Sequence, residues 1–297
     1  MWILHSLAHG LLPVPVASTA LLRLGFGAAF LWKFGWDARW GGLHYFDKGA
    51  FVRWRYERLK RHAKLLLSPL AYKWFYVSRL VAAVLVMAGI EASAAAALVA
   101  LWCAFEFTFD RKFHTQFLLV CAACLAVSSH LDDCLSVWTV SDSASCRTDT
   151  TSPVPLILLA VVVVCMYWGS VRFKLQSPQF MRGDVLQKTA EHYALIAGEM
   201  PYREYRYPRA VMRFLALDPP DIVRRRWQPS AVATVCLEAV LPILLVVTAT
   251  TAVAVGLGIA MHLAFMALFP KRLLPFSLAA VVSYLAFIDP QVVMGWI

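Results

Sequence analysis

The chain has 297 residues, of which 60% are apolar and only 15% charged, and its mean hydropathy is +0.64. A soluble domain carries about 25% charged residues, so a water-exposed globule of this mass is excluded for want of polar surface. The net charge of +10 does not point to nucleic acid either, because the basic residues are confined to a few loops between long apolar stretches, as in membrane proteins.

Residues 1–17 contain neither Lys nor Arg, so the basic start of a cleavable signal peptide is missing. A membrane-spanning helix needs about 20 mostly apolar residues. Eight stretches are read as spans: Ala17–Trp36, Trp74–Gly89, Ala92–Phe109, His114–Leu131, Val154–Phe173, Ser230–Thr250, Ala252–Phe269 and Leu273–Ile288. The second and last are short. Only Ile90 and Glu91 separate the second from the third, which therefore form a tight hairpin or one bent helix. The expected fold is all-α: a polytopic transmembrane bundle of about eight spans, seven to nine, in a single membrane domain over residues 1–297.

Three polar stretches interrupt the spans. Asp37 to Lys73 is basic, with Arg53, Arg55, Arg58, Lys60, Arg61 and Lys64 among aromatic residues, and predicts an amphipathic helix lying along the lipid headgroups. Asp132 to Pro153 is acidic. Gln176 to Gln228 is basic and ends in Arg224-Arg225-Arg226. In an alternating eight-span arrangement the loops 37–73, 110–113, 174–229 and 270–272 share one side of the bilayer and, with their flanking helix ends Arg79 and Arg172, hold nearly every Lys and Arg. The positive-inside rule makes that side cytoplasmic. The acidic loop then faces outward, where Cys134 and Cys146 could form a disulfide.

Ionisable groups inside spans are costly and hence candidates for function. Here they are Arg23, Lys33, Glu106, His114, Lys174, Glu238 and His262. Lys33, near a helix end, can extend its ammonium to the headgroups. Arg23 is deeper and stays charged; it must meet Glu238, another acid, a carbonyl or a bound anion. Lys174 ends the fifth span beside Arg172 in an aromatic setting, and is read either as a free amine able to act as a base or as an interfacial anchor. His114 lies on the same side in the alternating arrangement, with Glu106 and Asp110 one to two turns upstream. His262 is either a hydrogen-bonded core histidine or a cofactor contact. Cys121 and Cys124 have redox spacing but lie within a span, and read as apolar filling. The histidines are too scattered for a metal set, and no metal is predicted.

The order and spacing of four segments resemble the horizontally transferred transmembrane domain family, to which the vitamin K-dependent gamma-glutamyl carboxylases belong. They are Leu21-Leu22-Arg23-Leu24-Gly25-Phe26-Gly27; Phe113-His114-Thr115-Gln116-Phe117 with Ser128-Ser129-His130-Leu131-Asp132; Phe173-Lys174-Leu175 continuing to Phe180 and Gly183; and Glu238, Pro242 and His262. The resemblance implies that Lys174 deprotonates a reduced vitamin K or related quinol, which reacts with oxygen, and that the strong base formed permits carboxylation of a glutamyl group. It also implies that His114 assists and that Arg23, Arg172, Glu238 and His262 contact substrate or cofactor. Membrane lipid, a lipid-soluble quinol and a peptide or small carboxylate are the implied partners. The carboxylases continue into an extramembrane domain not expected here, place the reaction on the lumenal side, and carry a Trp where this chain has Phe180. The competing expectation is a non-catalytic scaffold, immunity-type factor or lipid carrier of the same family.

Overall fold

The computed structural model describes residues 2–38, 69–109, 113–137, 146, 148–189, 191, 220–268 and 273–296. The amphipathic helix expected within 37–73, the charge run 53–64, Asp110, most of the acidic loop beyond 137 and the stretch 192–219 fall outside these residues. What is described is overwhelmingly helical. Three helices are long and apolar enough to cross a membrane, at Val154–Leu175, Trp227–Val246 and Thr248–Met266, and shorter apolar helices cover Ala92–Thr108, Phe113–Ala126 and Leu274–Phe287.

The chain divides into two compact units, residues 2–159 with 288–297, and residues 160–287. In the first, α1 (Trp2–Ala8) precedes a two-residue strand β1 (Val14–Pro15) and the helices α2 (Val16–Asp37), α3 (Pro69–Ala88), α4 (Ala92–Phe109) and α5 (Phe113–Ala126). Successive helices pack on one another. Phe26, Phe30 and Phe34, one turn apart on α2, form a fully buried stacked ladder. At Gly27 a Cβ would lie 2.8 Å from the Met87 backbone, so α2 and α3 approach as only glycine allows.

The short Ile90-Glu91 junction is a hairpin and not a bend. Gly89 has φ +67, and the bonds Gly89 N–H to Val86 O and Ile90 N–H to Leu85 O close α3 with the two-bond left-handed cap that glycine favours. Asp132 then accepts from the Ala92 N–H with both carboxylate oxygens, at 3.0 and 3.1 Å, which places a negative charge at the start of α4.

The span expected to run to Leu131 stops at Ala126. The polar run after it bonds to the main chain instead of continuing the helix: Ser128 Oγ donates to Cys124 O, the Ser128 carbonyl accepts from Ser93 Oγ, and His130 has φ +61. Val14 pairs with Thr151 and Pro15 with Thr150 of β2 (Thr150–Thr151) in an antiparallel ladder. Cys134 and Cys146 form a disulfide packed on Val16 and Ala20.

The second unit contains most of α6 (Val154–Leu175), then α7 (Pro178–Met181), α8 (Pro220–Val246), α9 (Thr251–Leu268), α10 (Leu274–Ser283) and the 3-10 turn Tyr284–Phe287. The chain returns to the first unit with α11 (Pro290–Met294), which packs on α2 and β1.

Candidate functional site

The two units hold their buried charges differently. In the first, Arg23 is fully buried. Its Nη1 donates to the carbonyls of Val86 and Met87 at 3.1 and 2.8 Å, and its Nη2 to those of Cys134 and Leu135 at 3.1 and 2.6 Å. Two of these acceptors belong to the last turn of α3, where carbonyls lack the regular helical donor; the Val86 carbonyl also accepts from the Gly89 N–H. All four terminal N–H groups are thus spent on main chain, and Arg23 meets neither Glu238 nor another acid by hydrogen bond. Of the alternatives read from the sequence, the structure selects the carbonyl.

Lys33 differs from the expectation of an ammonium reaching the headgroups. It is 6% exposed, donates to Asp37 Oδ2 one turn on, and reaches Glu106 Oε1 at 3.2 Å. Glu106 also accepts from Arg79 Nη1 at 2.5 Å and from Thr115 Oγ1 at 3.4 Å. Arg79, counted in the sequence among the charges flanking a helix end, is 1% exposed, and its Cζ lies 4.6, 4.1 and 4.5 Å from the ring centres of Phe34, Phe75 and Tyr76. A buried pair of cations thus faces a pair of carboxylates, as buried charges require. His114 sits in the first turn of α5, half-buried.

The second unit brings three of the remaining candidates into one region. Lys174 Nζ contacts both carboxylate oxygens of Glu238 at 2.5 Å, and the two side chains are 19% and 4% exposed. The aromatic rings of Phe180 and Phe265 lie 5.3 and 5.9 Å from the same nitrogen. Phe265 in turn packs edge-on against His262 at 5.9 Å. Helix α8 carries Glu238 one turn before Pro242, whose missing N–H leaves the Glu238 carbonyl without its helical donor. One residue along, the Trp168 indole donates to the Ala239 carbonyl at 3.2 Å, tying α6 to this turn.

His262 is 1% exposed and fully engaged: its Nε2 is 3.0 Å from Tyr167 Oη and its Nδ1 is 3.3 Å from Ser277 Oγ. Tyr167 Oη also meets Tyr284 Oη. Ser277, His262, Tyr167 and Tyr284 therefore form one buried series. With neutral imidazole they carry four exchangeable protons over three hydrogen bonds, so the series can be polarised from either end. Reversible polarity is what proton relay requires. Gly258, one turn before His262, makes room for it: a Cβ there would stand 2.4 Å from the Tyr284 oxygen.

Tyr167 and Lys174 are seven residues apart and so share a face of α6. Arg172, two residues before Lys174, projects from another side and is exposed. Lys174 belongs to the second unit and His114 to the first. The residues that sequence reasoning missed are Tyr167, Ser277, Tyr284 and Phe265; the heptad spacing of Tyr167 to Lys174 was the available signal. Among the described residues no group of three or more His, Cys, Asp or Glu could hold a metal ion. The chain matches no family model, no curated protein and no solved structure.

Proposed function

We propose that the chain is a multi-pass membrane enzyme that uses Lys174 as a base toward a lipid-soluble quinol, in oxygen-coupled chemistry of the carboxylase type. The observation that carries this reading is the Lys174–Glu238 pair, part-exposed on the lysine side and flanked by aromatic rings in the same unit as the His262 relay. A proton passed from Nζ to Glu238 turns the ion pair into a neutral amine and a neutral acid. The amine can then take the proton of an acidic hydroxyl. Phe180 and Phe265 offer flat apolar surfaces suited to an aromatic head group. A quinol would supply a dissociable hydroxyl whose anion reacts with oxygen; the protein holds and moves the proton at Nζ and excludes water.

About eight spans remain the expected arrangement. A disulfide at Cys134–Cys146 suits an oxidising compartment. Helix α6 runs 22 residues to Leu175, about 33 Å, and the basic-loop distribution puts its Lys174 end on the cytoplasmic side, which differs from the lumenal site of the carboxylases.

A second reading, a non-catalytic scaffold or lipid carrier, is favoured by one observation: both Glu238 oxygens already satisfy Lys174. The test is mass spectrometry of lipid extracted from the purified protein, together with oxygen-dependent turnover of added quinol. Lys174→Ala alone leaves a buried carboxylate unpaired at a cost of about 3–5 kcal/mol, so the informative variant is Lys174→Met with Glu238→Gln. The enzyme reading expects bound quinone in the wild type and a folded, inactive double variant. Ordinary phospholipid alone and no oxygen uptake by the wild type would overturn it.

A further inference from the structure

One guanidinium among the first unit's buried charges keeps an unused edge, a feature independent of any chemistry at Lys174. Arg79 gives its Nη1 to Glu106, but its Nε and Nη2 are sealed from solvent without a hydrogen-bond partner. Those two nitrogens form one edge of the guanidinium, the edge whose parallel N–H groups match two oxygens of a carboxylate or phosphate. Leaving such an edge buried and unused costs free energy. The nearest oxyanion is Asp37 Oδ2, 4.0 Å from Nη2 and therefore too far to bond; it bonds Lys33 instead. Asp37 is also the most exposed member of the cluster, with 28% of its side chain accessible against 1–9% for Arg79, Lys33 and Glu106.

Asp37 is in addition the last residue of α2, where the helix dipole disfavours a carboxylate. Two fixed cations thus face one fixed anion, Glu106, and one removable anion. When Asp37 swings toward solvent, the charge remaining on the described side chains Lys33, Arg79 and Glu106 is +1, which a singly charged phosphate or phosphodiester neutralises. Lys33 and Asp37 lie in the last two turns of α2, Glu106 in the last turn of α4 and Thr115 in the first turn of α5, and Arg79 reaches them from the middle of α3. Helix ends are the level at which headgroups stand.

We propose that the Nε/Nη2 edge of Arg79 receives a phosphate-class oxyanion, with Lys33 as the second cation and Asp37 as the carboxylate that the ligand displaces. The experiment uses the full chain in detergent with two probes: inorganic phosphate followed by thermal shift, and phosphatidylglycerol followed by native mass spectrometry of retained lipid. Asp37→Asn removes the internal competitor and is expected to tighten binding about tenfold. Arg79→Lys keeps the charge but loses the two-pronged edge, and is expected to weaken binding by a similar factor. Should that variant fail to fold, the Asp37→Asn comparison decides alone. Tightening for both probes identifies any phosphate as ligand, and tightening for the lipid only identifies a headgroup. Absence of binding by either probe, or affinities that Asp37→Asn leaves unchanged, overturns the proposal.

Discussion

One buried cation from each unit is held by different chemistry. In the first, Arg23 is a guanidinium that cannot give up its proton, and it is consumed by main-chain carbonyls. In the second, the cation is an amine beside a carboxylate, and the neighbouring polar series is built from phenols, an imidazole and a hydroxyl. A guanidinium clamp fixes geometry and transfers nothing. An amine, an imidazole and two phenols can exchange protons without any backbone moving. The difference teaches where to look for chemistry in a membrane chain: charge at depth is a weaker signal than charge at depth that can be neutralised.

The largest expected effect tests the structural half of this contrast. Arg23→Met takes the guanidinium donor from the carbonyls of Met87, Cys134 and Leu135, while Val86 keeps the Gly89 N–H, and it releases the hold between the end of α3 and the Cys134–Leu135 segment. At about 1–3 kcal/mol for each buried acceptor left unmade, even partial relaxation consumes most of a protein's stability. The expected outcome is loss of the folded species in size-exclusion profiles, with Arg23→Lys failing nearly as badly because an ammonium has only three donors. A well-folded Arg23→Met protein would end the distinction between clamp and relay.

How much of this was legible in the sequence follows from the range of the forces involved. The apolar runs show directly in composition, and the start of most helices is placed to within a few residues. So are most ends; an exception is α5, which stops at Ala126 and not at Leu131, because Ser128 and Ser93 hydroxyls divert the main chain, and such bonds leave no periodic trace. The β1–β2 ladder, two residues long and containing Pro15, is invisible for the same reason. Arg23, Glu238 and His262 were singled out because an isolated polar residue in an apolar run is conspicuous. Apart from Lys174 beside Glu238, their partners were not. Tyr167 and Tyr284 look like ordinary interfacial or core aromatics, and Arg79 looks like a terminal charge, until α2, α3 and α4 close around it. Nothing local in residues 75–79 announces that three rings surround its guanidinium.

A middle-sized effect sharpens the relay half. Gly258→Ala places a methyl 2.4–2.7 Å from the Tyr284 oxygen and two ring carbons, too close to be absorbed by a side chain that is 1% exposed. Overpacking of this kind costs about 1–3 kcal/mol, read as a lower unfolding temperature in detergent. The displaced phenol also leaves Tyr167, so any quinol turnover should fall further than stability does. Equal wild-type values in both measurements would mean that the Tyr284 position is of no consequence.

Tyr284→Phe is the smallest and most discriminating change. The ring and its packing against α9 remain, and only the hydroxyl at the end of the series is lost. Tyr167 keeps His262 as its partner, donating its single proton to Nε2 while Nδ1–H donates to Ser277, so no hydrogen bond other than that to Tyr284 is lost. One hydrogen bond of ordinary net value, about 1 kcal/mol, disappears. What the substitution does remove is reversibility. With Tyr284 present, the series can run from Ser277 to Tyr284 or back; without it, the reverse polarity leaves the Tyr167 proton with no acceptor in this series. A relay role therefore expects near-normal stability together with a clear drop in turnover and an enlarged solvent isotope effect. A purely structural role expects the small stability loss and no kinetic change, and the gap between those two outcomes is wider than for any other single atom in the second unit.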